Sequence, residues 1–431
     1  MNQPTGLARG LPFLLTMVTL SAFAQGLHAE TAFDVLAVAK ALKAQGKDVV
    51  ELQIGDSPFA TPASAAHAGA QAIENHQTHY CSSLGLPAFR EAIARNYRQE
   101  FDLPITAENV VVGPGAKLFE QFFCEAFLDP GDEVLVFSPH FPTYGPNIER
   151  RGARMISSQL RQDHHFRPDL NDVELFLRTS RRARAIFLNS PHNPTGGVAT
   201  AEDIRDLANL IRGRNIAVFS DEPYCHMVWE GRHHTLLAQP DMLNQVMAVY
   251  TFSKSYSMSG WRLGYAVTCP SFVDVIGKMI NTSISCVTPI AQWAGLAALE
   301  QAASERDDTM RLFHQKVKLL VEELRRVKDV EVLMPAGTFY VFPDVSQICR
   351  HLGITSHGLA MFLLEGADDH FGVACLGGEC FGPAGQGFLR FSCAEPDDRL
   401  KLAIKFFAEA VTRTERVERY VTSHPQYRIK Q

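Results

Sequence analysis

From about residue 110 onward, short apolar runs alternate with amphipathic stretches. Runs at Val110–Val112, Val134–Phe137, Arg154–Ser157, Ala185–Leu188, Ala217–Ser220, Val246–Thr251 and Leu263–Thr268 predict strands. Ala116–Leu128, Ile148–Gly152 and Ala201–Arg212 predict helices between them. Continuous apolar runs of this length suit strands covered on both faces, and the β-α-β rhythm predicts an α/β fold. We expect a large domain with a mostly parallel, mixed sheet of seven strands flanked by helices.

The rest of the chain reads differently. Thr31–Gln45 predicts a helix, with Phe33, Leu36, Ala37, Ala39, Ala41 and Leu42 at helical spacing and Gly46 as its stop. Val49–Ile54 alternates like a strand and ends in the turn cluster Gly55-Asp56-Ser57-Pro58; Pro87–Tyr97 is a second amphipathic helix. After Gln301 a long helix, Glu305–Val327, precedes strands at Val330–Met334, Thr338–Pro343 and Gly387–Phe391. This pattern predicts a smaller α+β domain. The expected division is an extension or arm at 1–30, the first part of the smaller domain at 31–60, the large domain at 61–300, the remainder of the smaller domain at 301–415, and a polar, fraying tail at 416–431.

Composition narrows the class. Hydrophobic residues make up 46% and charged residues 20%, which excludes a disordered chain. The net charge of −6, with no basic run, argues against a nucleic-acid partner. Leu11–Ala24 is an apolar run behind Arg9, and Ala22-Phe23-Ala24 resembles a cleavage site, the anatomy of a signal peptide. Met17 offers an internal start, and the expectation is a cytoplasmic protein. The run is too short to span a membrane, and no later segment reaches about 18 apolar residues. Nine cysteines without a Cys-x-x-Cys spacing read as free thiols in a reducing compartment. The pairs His164-His165 and His233-His234 fall in polar loops with no third ligand nearby, so they read as surface and no metal is expected.

Candidate chemistry sits where predicted strands end. Lys254 lies just past a strand in Ser253-Lys254-Ser255-Tyr256-Ser257-Met258-Ser259-Gly260-Trp261-Arg262. A lysine there can lose its proton and form a Schiff base, and Arg262 offers a planar fork for phosphate. In Ser220-Asp221-Glu222-Pro223-Tyr224, Asp221 can pair with a protonated ring nitrogen and Tyr224 with a phenolic oxygen; a helix cap and a packed tyrosine are the plainer alternative. Asn189-Ser190-Pro191-His192-Asn193-Pro194-Thr195-Gly196-Gly197 is a rigid loop presenting Asn193. Gly113-Pro114-Gly115-Ala116-Lys117 opens a helix, where free backbone N–H groups suit a phosphate. Phe141 and Tyr144 follow a strand, where an aromatic can stack on a flat cofactor. Arg390, between apolar strand neighbours, needs a partner such as a substrate carboxylate or a structural salt bridge.

Taken in order, these motifs resemble the fold-type-I pyridoxal-phosphate (PLP) aminotransferases of class I/II, the aspartate aminotransferase-like family, from about Leu20 to Val411. The resemblance implies that Lys254 carries the PLP Schiff base and shuttles the proton. It implies that Asp221 holds the pyridine nitrogen protonated, and that Tyr224 and Asn193 bind the phenolate oxygen. Phe141 would stack on the ring. Gly115, Ala116, Lys117, Ser253 and Arg262 would surround the phosphate. Arg390, Asn193 and Gly55 would hold the substrate α-carboxylate. Tyr80 would reach the phosphate of a neighbouring subunit, which implies a homodimer. The substrates would be an amino acid and a 2-oxo acid.

Lys117 further suggests an acidic donor, aspartate or glutamate. Where the family often has Pro-Gly before a Phe-Gly pair, this chain has Gly377-Gly378-Glu379-Cys380-Phe381-Gly382, a loop expected to be more mobile. Carbon–sulfur β-lyases and decarboxylases share the fold and the cofactor residues, and remain the alternative reading of the function.

Overall fold

The computed structural model describes residues 18–27 and 30–429. Residues 1–16 and Met17, and with them the first part of the apolar run 11–24, lie outside the described residues. The strands are β1 Asp48–Glu51, β2 Val110–Gly113, β3 Glu133–Ser138, β4 Arg154–Gln159, β5 Ala183–Asn189, β6 Ala217–Asp221, β7 Val246–Thr251, β8 Gly264–Val267, β9 Tyr340–Val341, β10 Phe371–Ala374, β11 Leu376–Gly377 and β12 Leu389–Ser392.

Strands β2 to β8 form one seven-stranded sheet in the spatial order β2-β8-β7-β6-β5-β3-β4. The pairs β3–β4, β3–β5, β5–β6 and β6–β7 are parallel. Only β8 runs against its neighbours β2 and β7. Alternate side chains point to opposite faces and join separate cores. Val110, Val112, Ile186, Leu188 and Val218 meet the helix Ala201–Ile211 on one face. Val111, Val134, Val136, Phe187 and Phe219 meet Phe119, Phe122 and Phe123 of the helix Lys117–Phe127 on the other. This is the mixed α/β sheet expected from the apolar runs.

A smaller domain has its own pairings. Strands β11, β12 and β9 form an antiparallel sheet, and β1 pairs in parallel with β10, joining the chain's beginning to this later group. The helix Ala303–Leu324 buries Phe313, Val317, Leu320, Val321 and Leu324 in its core.

Several local expectations are corrected. Val330–Met334 is not a strand. Only Glu331 pairs, through two backbone bonds with Asp344, and no neighbouring strand continues the ladder. The helix expected at Ile148–Gly152 starts earlier, as Tyr144–Glu149. Over its described residues the tail is ordered rather than fraying: Thr414–Ser423 is a helix that buries Val417, Tyr420 and Val421. Those three residues recur at helical spacing among charges, and Tyr420 Oη donates to Glu365 Oε1 at 2.5 Å. The Gly377–Gly382 loop is tied down as well. Gly378 N donates to Phe388 O, and Glu379 accepts from Ser356 N and Ser356 Oγ. Among the described residues no helix is long and apolar enough to cross a membrane.

Candidate active site

The sheet lines up the carboxyl ends of its strands. Asn189 closes β5 opposite Asp221 at the end of β6, and Asp221 lies opposite Val249 in β7. Ligands of open α/β sheets bind at this edge. A cavity of about 430 Å³ opens there. Its walls include Gly55, Ala116, Lys117, Phe141, Asn193, Asp221, Tyr224, Ser253, Lys254, Arg262 and Arg390. Eleven residues singled out from seven separate segments thus meet in one place. Gly115 stands beside the cavity rather than in its lining: its φ is +92° and a Cβ there would lie 2.8 Å from Arg262 Nη2, so a glycine is needed. Tyr80 is not brought in; it is 87% exposed on the same chain.

The loop after β5 is held by its own amides. Asn193 N donates to Asn189 Oδ1 at 2.9 Å, and Asn189 Nδ2 donates to Asp221 O at 2.8 Å. Asp221 is buried, and Tyr144 Oη donates to its Oδ2 at 2.6 Å. Its Oδ1 is buried with no partner. Burial pushes the Asp221 carboxyl up to about 7, while the Tyr144 hydrogen bond pulls the other way. Tyr144 is therefore not a stacking surface; its ring is packed among Phe141, Phe187 and Phe219, and its hydroxyl serves the carboxylate.

Lys254 Nζ donates to Gly55 O and lies 5.9 Å from the Tyr224 ring centre. Gly55 admits this approach because nothing projects from it: a Cβ would sit 1.7 Å from Tyr340 Oη. Tyr340 Oη is in turn 3.2 Å from Tyr224 Oη. Arg262 donates to Ser259 O at 2.9 Å and to Pro114 O at 3.0 Å, so it bridges the lysine loop and the glycine loop. Ser253 Oγ is 2.8 Å from Thr251 Oγ1.

Arg390 is 4% exposed. It donates to Asn193 Oδ1 at 3.0 Å and to Gln53 O at 2.6 Å, and its guanidinium lies 4.3 Å from the Tyr340 ring centre and 4.9 Å from that of Phe381. Neither hydrogen-bond acceptor is charged, and among the described residues no salt bridge neutralises it. Lys117 differs: its ammonium is paired with Glu30, between the rings of Phe33 and Phe141.

Sequence reasoning missed Glu30, Glu120 and Tyr340, which also line the cavity. Glu120 is buried on the helix Lys117–Phe127, accepts from Thr143 Oγ1, and is pushed well above the usual carboxylate range by burial. No local pattern marks these three; a charge on a buried helix face is the one available signal, at Glu120. His233 is corrected from surface to buried. Its Nε2 lies 3.0 Å from Glu222 Oε2, while Ser220 Oγ and Thr235 Oγ1 donate to Glu222 Oε1. A carboxylate buried next to Asp221 needs such partners.

Comparison with known proteins agrees with this geometry. The family model described as aminotransferase class I and II matches residues 47–407. The chain is 36% identical over 382 residues to a probable aspartate/prephenate aminotransferase of Aquifex aeolicus (strain VF5), covering 88% of this chain and 94% of that protein. It is 32% identical over 367 residues to an aspartate aminotransferase of Pyrococcus horikoshii, covering 85% and 91%. Among solved structures, the Thermus thermophilus aspartate aminotransferase with maleate matches with a TM-score of 0.84 at 31% identity, covering 91% of this chain and 100% of that one. An aromatic aminotransferase from Pyrococcus horikoshii OT3 matches with a TM-score of 0.80 at 27% identity, covering 88% and 100%.

Aminotransferases of this class work with PLP. The donor set fits that group: an orphaned buried oxygen on Asp221 for a ring N–H, helix-start backbone N–H groups with Ser253 and Arg262 for a phosphate, and a lysine bonded only to a carbonyl. The chain belongs to the class I and II aminotransferase family, as a PLP-dependent enzyme that exchanges an amino group between an amino acid and a 2-oxo acid.

Proposed function

We propose that this enzyme takes aspartate- or glutamate-type donors and passes the amino group to 2-oxoglutarate or oxaloacetate. The observation that carries this reading is a pair of cations in one cavity: Arg390 for the α-carboxylate and Lys117 for a side-chain carboxylate. The names of the Aquifex and Pyrococcus relatives, aspartate/prephenate and aspartate aminotransferase, support it.

Each residue then has a physical task. Asp221 receives the ring N–H on its free Oδ1, and Tyr144 keeps that oxygen aimed by holding Oδ2. Asn193 and Tyr224 donate to the ring's phenolic oxygen, and Phe141 covers its face. The backbone N–H groups of Gly115, Ala116 and Lys117, with Ser253 and Arg262, take the phosphate. Bound there, PLP supplies the electron sink for charge developing at the donor Cα. Lys254 Nζ would take the proton from that Cα and deliver it, on the same face, to the cofactor carbon bonded to the amino nitrogen. Arg390, with Gly55 and Asn193, orients the donor so that the Cα–H bond, rather than the carboxylate bond, faces Lys254. The aromatic rings on either side of Arg390 limit its rotamers and keep the fork in place.

The functional unit in this reading is a homodimer, with Tyr80 serving the partner's phosphate; its 87% exposure is the supporting observation. Tyr80→Ala is then expected to weaken PLP retention although Tyr80 is not among the residues lining the active-site cavity of its own chain. We assign the enzyme to the cytoplasm, on nine cysteines without a disulfide.

The test is optical. Aspartate added to the PLP-loaded enzyme is expected to abolish its visible band, and 2-oxoglutarate to restore it. Lys117→Ala is expected to raise KM for aspartate more than for phenylalanine. Pyruvate or carbon dioxide released without an oxo-acid acceptor would move the assignment to a carbon–sulfur lyase or decarboxylase.

A further inference from the structure

Four cations line the cavity: Lys117, Lys254, Arg262 and Arg390. Among the described residues, three of them bond only to uncharged oxygens. Lys254 meets Gly55 O, Arg262 meets Ser259 O and Pro114 O, and Arg390 meets Asn193 Oδ1 and Gln53 O. None of the three meets a carboxylate. Lys117 alone is neutralised in advance, by Glu30.

Among the described residues the Glu30 side chain has no other hydrogen-bond partner. It stands at the N-cap of the helix Thr31–Ala44, yet its side chain makes no capping bond. Its carboxylate is instead turned to Lys117, and it lines the cavity together with Ala32, Phe33 and Ile54. The Glu30 carboxylate thus occupies the place a donor's side-chain carboxylate would need. The walls around the pair, Phe33, Ile54 and Phe141, are apolar.

We propose that Glu30 determines donor specificity, as a built-in counter-carboxylate that an acidic substrate must displace from Lys117 and that an uncharged donor leaves in place. The compartment then has two modes. With the pair intact it is electrically neutral and apolar-walled, and takes large uncharged side chains of the aromatic class. With Glu30 displaced, Lys117 takes an acidic side chain. The first mode rests only on the cavity walls and the ion pair. The second also rests on the reading of Lys117 given above.

The test compares Glu30→Gln, Lys117→Ala and the double variant, all PLP-loaded, with aspartate and phenylalanine as donors. Glutamine keeps the size of the side chain and removes the competing charge. Glu30→Gln is expected to raise kcat/KM for aspartate about 5- to 20-fold, mainly through KM, and to lower it for phenylalanine, because Lys117 then stands unpaired in the compartment. Glu30→Ala must move aspartate in the same direction. In the double variant the gain must vanish, because no cation is left to release. Equal effects on both donors, or a fall in aspartate activity, would overturn the role of Glu30 even where Lys117→Ala impairs aspartate. A Lys117→Ala enzyme with unchanged aspartate kinetics would instead remove the acidic mode and the function reading beneath it, whatever Glu30→Gln does.

Discussion

Replacing Tyr144 by Phe removes one oxygen and one hydrogen bond, the 2.6 Å bond to Asp221 Oδ2. With its midpoint at about 7, Asp221 is half ionised at neutral pH in the cofactor-free chain. A hydrogen bond to a charged group contributes roughly 1.5–3 kcal/mol. At 1.36 kcal/mol per pH unit, its loss moves the midpoint up by roughly 1–2 pH units. The ionised fraction at pH 7 then falls from one half to about 1–10%. Since the ionised form receives the ring N–H, PLP affinity at pH 7 is expected to drop about 5- to 50-fold and to recover as the pH is raised. The assay is the PLP dissociation constant from quenching of intrinsic fluorescence between about pH 6 and 9, with thermal denaturation of both proteins as the check on folding. Affinity within twofold of the parent across that range, or a loss that does not depend on pH, would refute the reasoning.

Three further outcomes follow from the geometry. Gly55→Ala places a methyl 1.7 Å from Tyr340 Oη, so Tyr340 must leave the cavity wall; donor KM should rise severalfold, and an unchanged KM would contradict the packing at Gly55. Asp221 holds its proton up to about pH 7 in the folded cofactor-free chain, whereas an unfolded aspartate releases it near 3.9. Its contribution to stability is therefore largest below pH 4 and is lost as the pH rises through 7, and Asp221→Asn should flatten that part of the denaturation midpoint against pH. Removing residues from 414 onward uncovers the surface that Val417, Tyr420 and Val421 bury. Burial of such side chains contributes roughly 1.5–3 kcal/mol each, so the truncated enzyme should melt several degrees lower; an unchanged midpoint would return the segment to a dispensable tail.

The sequence by itself determined the sheet and most of the site. Apart from the polar, largely exposed edge strand β4, the strands β2 to β8 are short apolar runs, and burial leaves a run of that kind little alternative to a strand of the sheet. Asp221, Asn193 and Lys254 were legible because each lies within five residues of the end of such a run, and a strand's end places its next residues at the ligand edge. Arg390 was legible because a charge between Leu389 and Phe391 demands an anionic or polar partner.

Tertiary structure decided the rest, because it rests on contacts between distant residues. Tyr144 looked like any aromatic after a strand until its hydroxyl met Asp221, 77 residues away. Lys117 read as a free cation; its neutralisation comes from Glu30, 87 residues away. His233 lay in a polar stretch, yet Glu222 draws it inside, since a buried carboxylate must find donors wherever the fold can bring them. The tail helix was hidden for a similar reason. Its three apolar residues are too few to announce a helix among charges, and they gain their energy only against a core built by earlier parts of the chain.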